Sequence, residues 1–213
     1  MMKPGRFIVV EGLEGAGKST AIETIRQYLS RFVPELVLTR EPGGTRIGEI
    51  IRQLIKERIE GETLDPRSEL LLLYAARVQL VEQAIRPALQ KGGWVLADRF
   101  ELSTFAYQGG GRHLDKQMIA NLSSFCLQGF QPDLIFFLDI EPEEGLNRVK
   151  KRGAFDRMEK ESLQFFTDIY DSYQELIKTM DNVICIDASQ PLDIVQETIL
   201  IQLKNFTAQY AIA

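Results

Sequence analysis

The segment Gly12-Leu13-Glu14-Gly15-Ala16-Gly17-Lys18-Ser19 most narrows what this chain can fold into, because it matches the pattern G-x-x-x-x-G-K-[ST]. An apolar run, Phe7-Ile8-Val9-Val10, precedes it, and a helix-patterned stretch over 20–29 follows. This is the strand, loop and helix order that the pattern requires. A strand that ends in glycines and turns straight into a helix gathers backbone N–H groups at the helix's positive end, where a polyphosphate fits. Lys18 supplies a mobile charge for the outer phosphates, Thr20 opens the helix, and the Ser19 hydroxyl can ligate the Mg²⁺ that travels with a nucleoside triphosphate. A glycine turn that only joins two elements is the bland alternative; it would need neither flank.

The 213 residues suffice for one domain with a substantial core, and a single α/β unit spanning 1–213 is expected. A net charge of −5 argues against a nonspecific nucleic-acid binder, which needs surplus Lys and Arg. An anionic ligand must then be held by local cations. The apolar runs are too short to span a membrane, and the N-terminus leads at once into a strand, which reads as a cytoplasmic chain. Cys126 and Cys185 have no C-x-x-C partner and read as small buried apolar groups. His113, the only histidine, has no sequence neighbour that would make it a base.

Apolar runs of strand length alternate with longer helix-patterned runs, as a parallel sheet with helical crossovers demands. Strands are expected at 7–11, 36–40, 94–98, 134–139 and 183–187, and helices at 18–30, 47–56, 67–91, 115–127, 143–151, 162–180 and 192–206. Gly109-Gly110-Gly111 reads as punctuation. Three strands end in Asp98, Asp139 and Asp187, and ligands of open parallel sheets bind beyond the carboxyl ends of the strands. The run 68–85 is apolar on nearly every face and reads as an internal helix, interrupted by Arg77. That arginine is either in a structural ion pair or in contact with substrate.

Seven segments together resemble the bacterial thymidylate kinase family. They are the phosphate loop with its flanks over 10–20, Thr39-Arg40-Glu41-Pro42-Gly43-Gly44-Thr45, Tyr74-Ala75-Ala76-Arg77-Val78-Gln79-Leu80, Asp98-Arg99-Phe100, Ser103-Thr104, Ala106-Tyr107-Gln108-Gly109-Gly110-Gly111-Arg112 and Arg152-Gly153-Ala154-Phe155-Asp156-Arg157. The resemblance implies a three-layer P-loop nucleoside monophosphate kinase fold, with a five-stranded parallel sheet and a helical lid at about 148–160. It implies that ATP, with Mg²⁺, phosphorylates dTMP to dTDP in a homodimer, whose interface would involve helices 67–91 and 115–127 unless these are internal core.

The residue roles follow the resemblance, each beside a plainer reading. Lys18 would hold the donor's outer phosphates, Arg99 would meet the acceptor phosphate, and Asp98 would stand by the magnesium, unless it only caps a turn. Glu14, unfavourable beside polyphosphate, would address the 3′-hydroxyl of a deoxyribose, or be an exposed loop acid. Leu13, Glu14, Gly15 and Ala16 carry no cation, and the family's matching arrangement places the compensating arginine in the lid. Arg152 and Arg157 are the candidates, against a solvated basic face. Arg77 would bond the thymine carbonyl, and Gln108 would order the base or a loop. Arg40 would be an acceptor-side cation or orient the loop. Leu73 stands where many relatives stack a phenylalanine on thymine, one helical turn from Arg77. Kinases for other small acceptors, a nucleotide-controlled switch and a non-catalytic nucleotide-binding subunit are the rival readings; the chain has no N-K-x-D sequence for guanine.

Overall fold

A computed structural model describes residues 5–57, 59–153, 157 and 161–210, the side chain of Arg152 excepted. Five parallel strands form one sheet in the order β2-β3-β1-β4-β5: β1 (Phe7–Gly12), β2 (Leu36–Arg40), β3 (Trp94–Asp98), β4 (Leu134–Asp139) and β5 (Val183–Asp187). The inner strands bury both faces. Every residue of β1 is buried, as are Trp94 to Ala97 and Leu134 to Leu138. This is why they read as unbroken apolar runs rather than alternating ones.

Helices surround the sheet: α1 (Lys18–Leu29), α2 (Arg46–Lys56), α3 (Pro66–Leu80), α4 (Arg86–Gln90), α5 (Glu101–Thr104), α6 (Lys116–Leu127), α7 (Pro142–Arg152), α8 (Leu163–Ile177) and α9 (Leu192–Ala208). The β1-to-β2 crossover runs opposite to the other three across the sheet. With right-handed connections α1 therefore lies on one face and the later crossovers on the other. The last helix, α9, returns to pack against α1. Starts are chemically marked: Asp65 accepts from the Arg67 N–H at 2.8 Å ahead of Pro66, and Ser162 accepts from the Phe165 N–H at 3.1 Å.

Three expectations are corrected. The stretch 67–91 is not one uniform α-helix, because Val81–Ile85 forms a π-helical turn between α3 and α4. Nor is it wholly internal, since Leu71 is 59% exposed. Gly109-Gly110-Gly111 does not punctuate a loop but lies in a second π-helical turn, Phe105–Gly111, that continues α5. A Cβ at Gly110 would meet the Asp168 carbonyl oxygen at 2.7 Å, so these glycines let the turn press onto α8. Cys185 is exposed, because β5 is an edge strand with only one covered neighbour.

The phosphate loop itself is pressed against α7. A Cβ on Gly15 would lie 2.1 Å from the Gly145 carbonyl oxygen, and Gly15 has φ 77°. Both facts require glycine. Gly15→Ala should therefore cost about 2–4 kcal/mol from overpacking and backbone strain, a fall in Tm of roughly 5–15 °C. A thermal melt equal to that of the parent would contradict this packing.

Candidate active site

The loop that follows β1 is built for an anion. Gly17, with φ 90°, precedes α1 without any side-chain cap, and no acidic residue lies in the helix's first turn. Its leading N–H groups are thus left to a ligand. Lys18 folds back over the loop, its Nζ donating to the carbonyls of Leu13 at 2.7 Å and Gly12 at 3.1 Å. Burial, and then the Arg99 charge, lower the Lys18 pKa to about 8. Its ammonium is under-compensated until phosphate oxygens arrive.

Pairing of β1 with β3 sets Val10 opposite Asp98, and the Arg99 N–H donates to the Val10 carbonyl at 3.0 Å. Arg99 has φ 67°, the left-handed region that costs a non-glycine residue energy. Glu11 holds that turn: fully buried, it accepts from the Phe100 N–H at 2.8 Å, the Ser103 N–H at 3.3 Å and the Tyr173 hydroxyl at 3.1 Å. Burial keeps its carboxyl above the usual range, against the pull of Arg99.

The guanidinium of Arg99 donates to Glu14 Oε1 at 2.8 Å, Tyr107 Oη at 2.9 Å and Ser103 Oγ at 3.0 Å. Tyr107 also donates to Glu14. Burial pushes the Glu14 carboxyl up, but Arg99 and Lys18 outweigh it and hold it below its ordinary value. Glu14 is therefore no stray loop acid; it links the phosphate loop to the segment after β3.

Arg77 forms a structural ion pair and also lines the cavity. It pairs with buried Glu41 at 2.7 Å and donates to Thr104 Oγ1 at 2.8 Å, yet its Nη1 is buried without a partner and the side chain lines the cavity. Burial holds the Glu41 carboxyl high despite the Arg77 charge. Gln108 and Leu73 line the same cavity. Arg40 does not: it is turned outward to Glu49 at 2.8 Å, because the glycines at 43 and 44 bring the Glu49 carboxylate under it.

The cavity has a volume of about 460 Å³ and runs from Gly17, Lys18 and Ser19 past Asp98 and Arg99 to Arg77 and Gln108. A second one, about 170 Å³, opens on the far side of the loop between Ala21, Ala188, Val195 and Gln196, and the two share Gly17 and Arg148. Of the strand-terminal acids only Asp98 faces this space. Asp139 accepts from Gln174 and Asp187 closes a turn with Ser189. Asp98 Oδ1 is buried and accepts no hydrogen bond, which suits a carboxylate reserved for a cation. With Ser19 it fits Mg²⁺, an ion that takes most of its ligands from phosphate and water rather than from a protein cage. Among the described residues no cluster of three acidic, His or Cys side chains could bind metal unaided.

Of the two arginines expected in a lid, the Arg152 side chain lies outside the described residues. Arg157 donates to the Ile55 carbonyl at 2.7 Å and to Glu69, two residues that line the cavity. Glu11, Glu41, Glu69, Tyr107 and the second cavity went unassigned in the sequence reading. Glu11, Glu41 and Tyr107 do lie inside the motif segments, where a buried acid or phenol beside an arginine is the signal.

The chain matches the family model for thymidylate kinase over residues 10–199 and belongs to the thymidylate kinase family. It is 56% identical over 202 residues, 95% of both chains, to a thymidylate kinase of Legionella pneumophila strain Corby, and equally so to that of strain Paris.

The lowered Lys18 pKa predicts proton uptake when MgATP binds at alkaline pH, because the phosphates favour the charged ammonium. At pH 8.5 the uptake should be roughly 0.7 proton, and Lys18→Arg, charged throughout, should show none. Calorimetry in buffers of different ionisation enthalpy reads this directly; heats independent of buffer would refute it.

Proposed function

We propose that this protein transfers the γ-phosphoryl group of ATP to dTMP. An oxygen of the dTMP phosphate attacks the γ-phosphorus in line, the bond to the β-phosphate oxygen breaks, and dTDP and ADP result without a covalent enzyme intermediate. The observation that carries this reading is a cavity with a phosphate loop at one end and Arg77 and Gln108 at the other. Arg99 lies between, where two phosphate groups would meet. Such a reaction asks little covalent work of the protein; it asks that two anions be aligned and their charge neutralised.

ATP lays its phosphates over Gly12 to Thr20, with Lys18 leaving its carbonyl partners for them. Its adenine fits the smaller cavity beside Ala21, Val195 and Gln196. Ser19 and Asp98 would hold Mg²⁺, which would neutralise charge on the transferring phosphates. Arg99 exchanges part of its bonding to Glu14 for the acceptor phosphate, which leaves Glu14 to accept from the deoxyribose 3′-hydroxyl. Arg77 Nη1 donates to the base carbonyl, and Leu73 gives apolar contact without a π face.

The single domain spans 1–213, and its lid at about 148–160 brings an arginine, Arg152 or Arg157, to the transferring group. Arg157 must first leave Glu69. The protein works in the cytoplasm as a homodimer: Leu71 (59% exposed) on α3 and Met118 (68%) and Phe125 (79%) on α6 form an apolar surface on two helices packed together. No helix of the described residues is long and apolar enough to cross a membrane.

ADP release with ATP, Mg²⁺ and dTMP, compared with dUMP, dCMP and no acceptor, should be stimulated most by dTMP. Arg152→Ala or Arg157→Ala should lower kcat by a factor on the order of 10³, and full activity in both would end the lid-arginine role. Phe125→Glu should convert the dimer to a monomer in sedimentation. A dimer that survives this change places the interface elsewhere.

A further inference from the structure

Glu69 is 1% exposed on α3, and its polar partners among the described residues are donors. Gln108 Nε2 donates to its Oε1 at 2.8 Å, Arg157 Nη2 donates to its Oε2, and Arg112 Nε lies 3.6 Å from Oε1. A carboxylate in hydrogen bonds to amide and guanidinium groups can only accept. The side-chain amide of Gln108, which has two chemically opposite ends, is therefore forced to turn its nitrogen toward Glu69. Its oxygen receives no hydrogen bond from the described residues, on a side chain that lines the cavity.

Among the described residues, the far end of the cavity thus offers Gln108 Oε1 as an acceptor open to a ligand and Arg77 Nη1 as a buried donor without a partner, with the unpaired Glu41 Oε1 on the carboxyl that Arg77 already holds. A 4-keto pyrimidine presents the complement, an N3–H donor beside an O4 acceptor. Cytosine presents the reverse, an N3 acceptor beside an amino donor. A site whose buried polar groups are matched by one base and opposed by the other discriminates strongly. We propose that Glu69 is a positioning residue for acceptor specificity: by fixing the direction of the Gln108 amide it makes the pocket read a 4-keto pyrimidine. It acts through Gln108 and on no reacting atom. The inference rests on the dTMP reading above.

The base binds before the lid closes, while Arg157 rests on residue 69 as it does here, so in Glu69→Gln that guanidinium still requires an acceptor and the new amide turns its oxygen to Arg157 and its nitrogen to Gln108. Gln108 must then reverse and offer the base an N–H in place of an oxygen. The ratio of kcat/KM for dTMP over dCMP should fall at least tenfold, through the acceptor KM, with the ATP KM unchanged. The double variant Glu69→Gln with Gln108→Glu restores an acceptor facing the base and should recover most of the parental ratio.

Both variants are assayed by ADP release, with circular dichroism to establish folding. A parental ratio in folded Glu69→Gln overturns the proposal, as does a double variant with the ratio of the single one. If Glu69→Gln alone fails to fold, the double variant decides by the same ratio; failure of both to fold would show a structural role only and overturn it too. Wild-type protein inert toward dTMP would instead end the underlying reading, a result separable from these.

Discussion

The register of β1 against β3 is the constraint on which the rest depends. With Val10 opposite Asp98, the phosphate loop and the Asp98-Arg99 turn leave neighbouring strands at the same level. Two stretches that are 80 residues apart in the chain then share one wall. Glu11, buried at the end of β1, locks the arrangement by taking the N–H groups of Phe100 and Ser103. A shift by one residue would turn Asp98 to the other face of the sheet and leave that acid buried without donors.

The site built on this register is a set of cations and anions already paired with one another. Arg99 rests on Glu14, Arg77 on Glu41, and Lys18 on two carbonyls of its own loop. Desolvation of such pairs consumes most of their attraction, so they add little to stability. What they provide is position without collapse. Donors stand near where phosphate oxygens will sit, and the ligand exchanges one acceptor for another instead of ordering a floppy side chain.

Much of the fold was legible in the sequence because inner parallel strands are continuous apolar runs and their helices begin at marked residues. The boundaries of β2, β3, β4 and β5 coincide with the expected ones, and β1 extends one residue further. The π-helical turns were not legible, since three glycines signal a loop unless the α8 surface that needs their small size is known. Cys185 misled because its apolar neighbours do not reveal that the strand lies at an edge. Residue type and spacing singled out the phosphate loop, Asp98 and Arg77, which the structure brings to one cavity. Arg40 pairs with Glu49, which also takes the Gly44 N–H, and this fits the loop-orienting alternative in the sequence. Glu69 was silent for a different reason: its partners, Gln108 and Arg157, lie 39 and 88 residues away, and no local pattern encodes such a meeting.

The proposed arrangement is of two nucleotides lying with their phosphates end to end across the two cavities that share Gly17 and Arg148. It is tested most directly by the binding of a single molecule in which adenosine and thymidine are joined through a chain of five phosphates. Competition with both ATP and dTMP is expected, at an affinity at least about a hundredfold above either, because linking removes the cost of bringing two ligands together. Competition with only one of them, at an affinity no better than that nucleotide's own, would contradict it.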